Sequence, residues 1–231
     1  MEKVKGRILW VEAHPDDIAF TSAGTVVKLI AEGYQVDSLM MTDGNFSDDG
    51  EQRMKEQRQM MGLLGMGVLY AVGQENGFED FYLNKISLWL IINTILEILV
   101  RAEEEGNPYK RIMTFDENGY SGHPDHIVVN EAVREIFQSE DTHGVKELWE
   151  LGMSPEEKKL WGDYFVPIPD INLESYTPID VDGEPFNKKL EAIKVHTTQF
   201  HMEDNGSGEA QIERLNKLPK VEWFKITKKS D

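Results

Sequence analysis

Cysteine is absent from the 231 residues. That excludes disulfides, thiolate metal sites and a cysteine nucleophile, so any metal must be held by His, Asp or Glu. Basic residues are scarce: 24 Lys and Arg stand against 42 Asp and Glu, a formal net charge of −18. Such a surface repels phosphate backbones and anionic lipid, which argues against nucleic-acid and membrane partners. Solubility or a salt-tolerant host accounts for the acidity itself. Long apolar runs are also missing. The longest, Ile86 to Val100, is interrupted by Ser87, Asn93, Thr94 and Glu97. It is too short and too polar to span a bilayer and reads as a buried helix. The N-terminal apolar run of about five residues is shorter than the core of a secretory signal, and a cytoplasmic location follows by default. No G-x-G-x-x-G opens the first helix, which argues against a dinucleotide site. There are no internal repeats.

What is present suits one α/β domain. Arg7 to Ala13 and Gln35 to Thr42 read as strands, with helical spacing in Ser22 to Glu32 between them. A helix from Glu51 to Leu64 closes at Gly65, and Val68 to Val72 reads as a short third strand. Asn84 to Glu105 carries the longest helix, and Arg111 to Phe115 is the fourth strand. A helix beginning at Pro124 and running to about Gln138 follows it. This β-α alternation predicts a Rossmann-like, mostly parallel sheet with helices on both faces. Residues 139–185, with five prolines, read as an irregular insertion or lid. Beyond them come a helix over Asn187 to Gln199, a loop over Met202 to Glu209 and a last strand over Val221 to Thr227.

One phrase is written twice. His14-Pro15-Asp16-Asp17 follows the first strand, and His123-Pro124-Asp125-His126 follows the fourth. A capping aspartate in a turn explains either copy alone. Two copies at the carboxyl ends of strands in one parallel sheet point to a shared crevice. Two imidazoles and a carboxylate leave open positions on a divalent metal, the pattern of a hydrolytic zinc site. His14, His126 and one of Asp16 or Asp17 are the candidate ligands. The second aspartate suits a general base, and His123 an acid or oxyanion partner.

These residues resemble the PIG-L/LmbE-like superfamily of zinc-dependent N-deacetylases. A-H-P-D-D is Ala13 to Asp17, followed by Gly24-Thr25 and the T-x-G turn at Thr42 to Gly44. R-x-x-E is Arg53 and Glu56, with Leu64-Gly65 downstream, and G-H-P-D-H is Gly122 to His126. A late K-x-x-A-x-x-x-H-x-S-Q appears as Lys189, Ala192, His196, Thr198 and Gln199, with Thr in place of Ser. The resemblance implies one Zn²⁺ per chain on His14, Asp17 and His126, and Asp16 as general base toward the zinc-activated water. It makes His123 the protonated partner of the tetrahedral intermediate, oriented by Asp125. Arg53 and Tyr120 become substrate contacts. The implied reaction removes an N-acetyl group from an N-acetylglucosamine-type sugar or glycoconjugate, and the implied assembly is a homo-oligomer, trimer or hexamer. Ile18 stands where the family often has Glu. Ser121 stands where some relatives have Tyr, with Tyr120 one residue earlier. Fe or Co fits the same ligand types as zinc. The rival readings are a metal phosphoesterase, which calls for two metals and phosphate-binding cations, and a non-catalytic sugar-binding domain.

Overall fold

The structure is a computed structural model that describes residues 4–46, 49–161, 167–200 and 213–229. Strand β1 (Gly6–Glu12) leads through helix α1 (Asp17–Thr21) and α2 (Ala23–Ala31) to β2 (Tyr34–Met40). Then come α3 (Gly50–Leu64), β3 (Leu69–Tyr70), α4 (Val72–Asn76), α5 (Leu88–Glu104) and β4 (Tyr109–Phe115). The short α6 (Gly119–Gly122) precedes α7 (Pro124–Gln138), β5 (Glu147–Gly152), α8 (Pro155–Trp161) and β6 (Thr177–Asp180). The chain closes with α9 (Glu184–Val195), α10 (Thr197–Phe200) and β7 (Val221–Lys228).

The sheet order is β3-β2-β1-β4-β5-β7-β6. The first five strands pair in parallel, whereas β7 is antiparallel to both its neighbours. The chain walks outward from β1 to β2 to β3, then returns to β4 on the other side of β1. Right-handed crossovers therefore put α2 and α3 on one face and α5 and α7 on the other. The packing agrees: α2, α3 and α9 touch one another, as do α5 and α7. The order reverses between β1 and β4, so their carboxyl ends splay apart there and open the crevice of a doubly wound sheet. His14 follows β1 and His123 follows β4.

The core explains why these segments are strands and helices. Ile8, Leu9, Trp10 and Val11 of β1 are all buried, as expected for a strand covered on both faces. Trp10 Nε1 donates to Ser22 Oγ at 2.8 Å, which satisfies the indole where β1 passes under the start of α2. Gly65 ends α3 in the left-handed region at φ 77°. No helix among the described residues is long and apolar enough to cross a membrane.

Several expected boundaries move. The third strand shrinks to two residues because Val72 already belongs to α4. The helix expected over Asn187 to Gln199 starts three residues earlier and breaks at His196. The loop expected over Met202 to Glu209 lies outside the described residues. The stretch 139–185, read as irregular, contains β5, a central strand between β4 and β7. Its pattern was masked by Glu150, which is buried and accepts from Asn130 Nδ2 at 2.9 Å. A charge that finds its partner only in the folded sheet hides a strand from a reading of hydrophobicity.

Candidate metal centre

The first motif is a turn fastened by its own aspartate. Asp17 Oδ2 accepts from the N–H groups of Ala13 at 3.0 Å and His14 at 2.7 Å. The two oxygens divide the work: Oδ2 fastens the turn while Oδ1 points to His126. Gly44, at φ 66°, packs against this turn; a Cβ there would lie 2.5 Å from Pro15 Cγ. The second motif is built on Asp116, whose Oδ1 accepts from Asn118 N and Tyr120 N, both at 3.1 Å. His123 then caps α7, its Nδ1 accepting from Asp125 N at 3.1 Å, with Pro124 in the first turn.

Folding brings the two turns together. His14 Nδ1 stands 3.1 Å from His126 Nε2, and that nitrogen stands 3.0 Å from Asp17 Oδ1. Ligands about 2.0–2.2 Å from a tetrahedral ion are about 3.3 Å apart, close to these two separations. Each ligand is also held from behind. His126 Nδ1 meets the Gly119 carbonyl at 3.0 Å, and His14 Nε2 meets Asp80 Oδ1 at 3.1 Å and Asp125 Oδ2 at 3.3 Å. Such outer partners fix which ring nitrogen faces a metal. Two other groupings also bring ligand atoms close, His14 with His123 and His126, and His14 with Asp80 and Asp125. The second of these uses the side of His14 that the outer carboxylates already occupy. His14 Nδ1, Asp17 and His126 Nε2 lie on the opposite side of the His14 ring from those carboxylates.

The electrostatics favour a cation. Burial alone would lower the His14 imidazole, but Asp17, Asp125 and Asp80 overcome it and hold it well above its ordinary range. Burial would raise Asp17, yet His126 and His14 hold it well below. Asp16 moves the other way. Burial, with Asp17 and Asp80 nearby, raises it to about 7 despite the Arg53 guanidinium. A carboxyl poised near neutrality can accept a proton and release it again.

His123 and Asp125 differ from expectation. Burial first, then His14 and His126, push the His123 imidazole down to about 2. With Nδ1 accepting from the Asp125 amide, its Nε2 carries the hydrogen. Asp125 thus meets His123 through its backbone. Its carboxylate instead lies on His14 and accepts from Phe81 N at 2.8 Å. Arg53 and Tyr120, expected to touch substrate, face protein groups. Arg53 donates to Asp80 Oδ2 at 2.7 Å, Gly44 O at 2.9 Å and Pro15 O at 3.1 Å, and lies 3.5 Å from Asp16 Oδ2. The buried Tyr120 sits in the left-handed region at φ 61°; burial and the neighbouring Glu157 push its phenol up.

Asp80 and Phe81 were missed by sequence reading. Asp80 links Arg53 to His14, and Phe81, at φ 73°, sets its ring centroid 4.7 Å from that of His123. They lie in a loop without periodicity, and the only signal was an acidic residue beside an aromatic one. Two motifs whose purpose the sequence left open prove structural. Glu56 binds Thr197 Oγ1 and Thr198 Oγ1, both at 2.6 Å, and thereby ties α3 to the start of α10. The Ser-to-Thr exchange at Thr198 keeps this hydroxyl. Lys189 is buried on Glu222 at 2.9 Å.

A doubly wound sheet with a buried His/Asp cluster at its switch point defines a Rossmann-like protein whose crevice groups side chains able to ligate a metal. The family model described as PIG-L, GlcNAc-PI de-N-acetylase, matches residues 9–137, and the chain belongs to that family. It is 35% identical over 130 residues to N-acetylglucosaminyl-phosphatidylinositol de-N-acetylase of Bos taurus. That match covers 56% of this chain and 50% of the bovine protein, so the chain spans half of that relative's length. It is 26% identical over 207 residues to diacetylchitobiose deacetylase of Thermococcus kodakarensis, covering 84% and 70% of the two chains. Among solved structures, N,N'-diacetylchitobiose deacetylase from Pyrococcus horikoshii superposes with a TM-score of 0.66 at 20% identity, covering 96% of this chain and 84% of that one. At that identity the likeness speaks for the fold.

Proposed function

We propose that the protein is a metal-dependent N-deacetylase acting on an N-acetylglucosamine-type amino sugar or glycoconjugate, with one divalent ion, zinc by ligand chemistry, on His14, Asp17 and His126. The observation that carries this reading is the convergence of His14 Nδ1, His126 Nε2 and Asp17 Oδ1 with their outer atoms anchored. The relatives named above support the substrate class, because the substrates they are named for share an N-acetylated glucosamine unit.

When bound, the ion supplies Lewis-acid activation of water and of the amide carbonyl. The chain's own residues do the rest. Asp16, raised to about 7, takes the proton from the attacking water. His123, neutral and held at Nδ1 by the Asp125 amide, offers its Nε2–H to the oxyanion that forms as the water oxygen bonds to carbon. The C–N bond then breaks, and the proton held by Asp16 passes to the departing amine. Asp80 and Asp125 keep His14 turned so that Nδ1 faces inward.

The test is to load the protein with zinc, measure metal content, and assay free amine from N-acetylglucosamine, diacetylchitobiose and an N-acetylglucosaminyl-inositol. Asp16→Asn should keep the metal and lose turnover by about a hundredfold or more. Amine release by Asp16→Asn at the wild-type rate would overturn this assignment.

A further inference from the structure

Asp16 sits in a backbone conformation that an L-residue seldom adopts, at φ 116° and ψ −26°. Such residues persist where their surroundings over-determine them. Here the constraint acts on one peptide group, the plane that joins Pro15 to Asp16. Its carbonyl accepts from Arg53 Nη2 at 3.1 Å, and its N–H donates to Gln57 Oε1 at 3.2 Å. Arg53 and Gln57 are four residues apart on α3, so they lie one above the other on one face. Both are buried. Rotating this plane would relieve Asp16, since a peptide flip changes ψ of residue 15 and φ of residue 16 together. The same rotation would break both hydrogen bonds at once.

Gln57 is itself oriented from the sheet. Its Nε2 donates to Glu12 Oε1 at 2.6 Å, and Ser38 Oγ donates to the same oxygen. Glu12 ends β1 and Ser38 lies on β2. Glu12 Oε1 takes a hydrogen from both, so it holds the NH2 end of the Gln57 amide and leaves the amide oxygen turned toward Asp16 N. The Asp16 side chain makes no capping hydrogen bond of its own. Its direction follows from the backbone beneath it and from the Arg53 guanidinium 3.5 Å from Oδ2.

We propose that Gln57, oriented by Glu12, is a positioning residue for Asp16. Together with Arg53 it clamps the Pro15–Asp16 peptide and so fixes where the Asp16 carboxylate stands. This rests on the reading of Asp16 as general base. The test compares wild type, Gln57→Met, and the exchange Glu12→Gln/Gln57→Glu, all as zinc-loaded full chains. In the exchange, the introduced amide at position 12 donates to the introduced carboxylate at position 57, whose other oxygen accepts from Asp16 N.

Gln57→Met should keep wild-type zinc content and lose kcat by about a hundredfold with little change in KM. Its crystal structure should have Asp16 at negative φ. The exchange should recover most of the lost kcat. Wild-type kcat in Gln57→Met, a parallel loss of zinc, or an exchange variant no better than Gln57→Met would overturn the proposal. If Gln57→Met fails to fold, Gln57→Asn, whose shorter amide is withdrawn from Asp16, carries the same comparison. If wild type releases no amine from any N-acetyl sugar, the functional reading falls separately. The variant structure still decides the clamp: φ of Asp16 unchanged without the Gln57 amide refutes it.

Discussion

Lys189→Met removes the cation from a buried ion pair and keeps most of the alkyl chain. Lys189 is 2% exposed and Glu222 is 4% exposed. The ammonium donates to Glu222 Oε1 at 2.9 Å and to the Thr21 carbonyl at 2.6 Å. Breaking such a pair leaves an uncompensated buried charge and costs about 3–5 kcal/mol. Here Glu222 keeps two backbone donors at the start of α2, Gly24 N at 3.2 Å and Thr25 N at 2.8 Å. Those amides and the positive end of the helix offset part of the loss. The expectation is therefore the lower end, about 3 kcal/mol, against a total stability of about 5–15 kcal/mol. At about 2–4 °C per kcal/mol for a chain of this size, Tm falls by about 6–12 °C. Urea unfolding should give an earlier midpoint at unchanged m, since the surface exposed on unfolding is the same. The double variant Lys189→Met/Glu222→Gln tests the cause. With neither member of the pair charged, and an amide oxygen still accepting at α2, it should be more stable than Lys189→Met alone. A loss under about 1 kcal/mol, or strictly additive single variants, would refute the ion-pair argument.

Four further outcomes are expected. His14→Ala and His126→Ala should each lose the divalent ion, seen by metal analysis, and the rise in Tm that added zinc produces in wild type. Acid should destabilise the protein through His196. Burial holds this imidazole down to about 4, whereas the unfolded chain binds the proton below about 6.5. The unfolded state therefore carries more protons between those values. Stability should fall as pH drops from about 6.5 to 4, by up to about 3 kcal/mol, and a His196→Leu variant should show a shallower slope in urea midpoint against pH. Gly73→Ala should destabilise severely, because its Cβ would meet the Thr42 carbonyl carbon at 2.1 Å; normal expression and Tm would refute the packing. Asp80→Asn should raise KM or lower kcat more than it lowers stability, as it unties His14 from Arg53; wild-type kinetics would remove Asp80 from the site.

The fold was largely legible because local signals and global order agreed. Gly65 after Leu64, and Pro124 opening α7, mark helix ends by backbone chemistry that depends on nothing distant. The first four parallel strands follow from alternation alone. What escaped was β5, where Glu150 reads as surface until Asn130 is brought beside it. The paired motifs were legible for the same local reason: each is a turn fastened by a nearby group, Asp17 on His14 N in one and Asp125 N on His123 in the other.

What only the tertiary structure decided is which atom of each side chain faces which partner. The residues by themselves named His14, His126 and one of Asp16 or Asp17 as a candidate set, and the family resemblance pointed to Asp17 as the ligand and Asp16 as the base. The sequence could not say that Asp125 turns its carboxylate to His14, that burial and two neighbouring imidazoles push His123 down, or that Arg53 donates to Asp80 and Pro15. Nor could it find Gln57, which lies 41 residues from the peptide it holds. Residue type sets what a group can donate or accept. Which partner it meets, and how far burial shifts its proton, depends on contacts made across β1, β4 and α3 after the chain has folded.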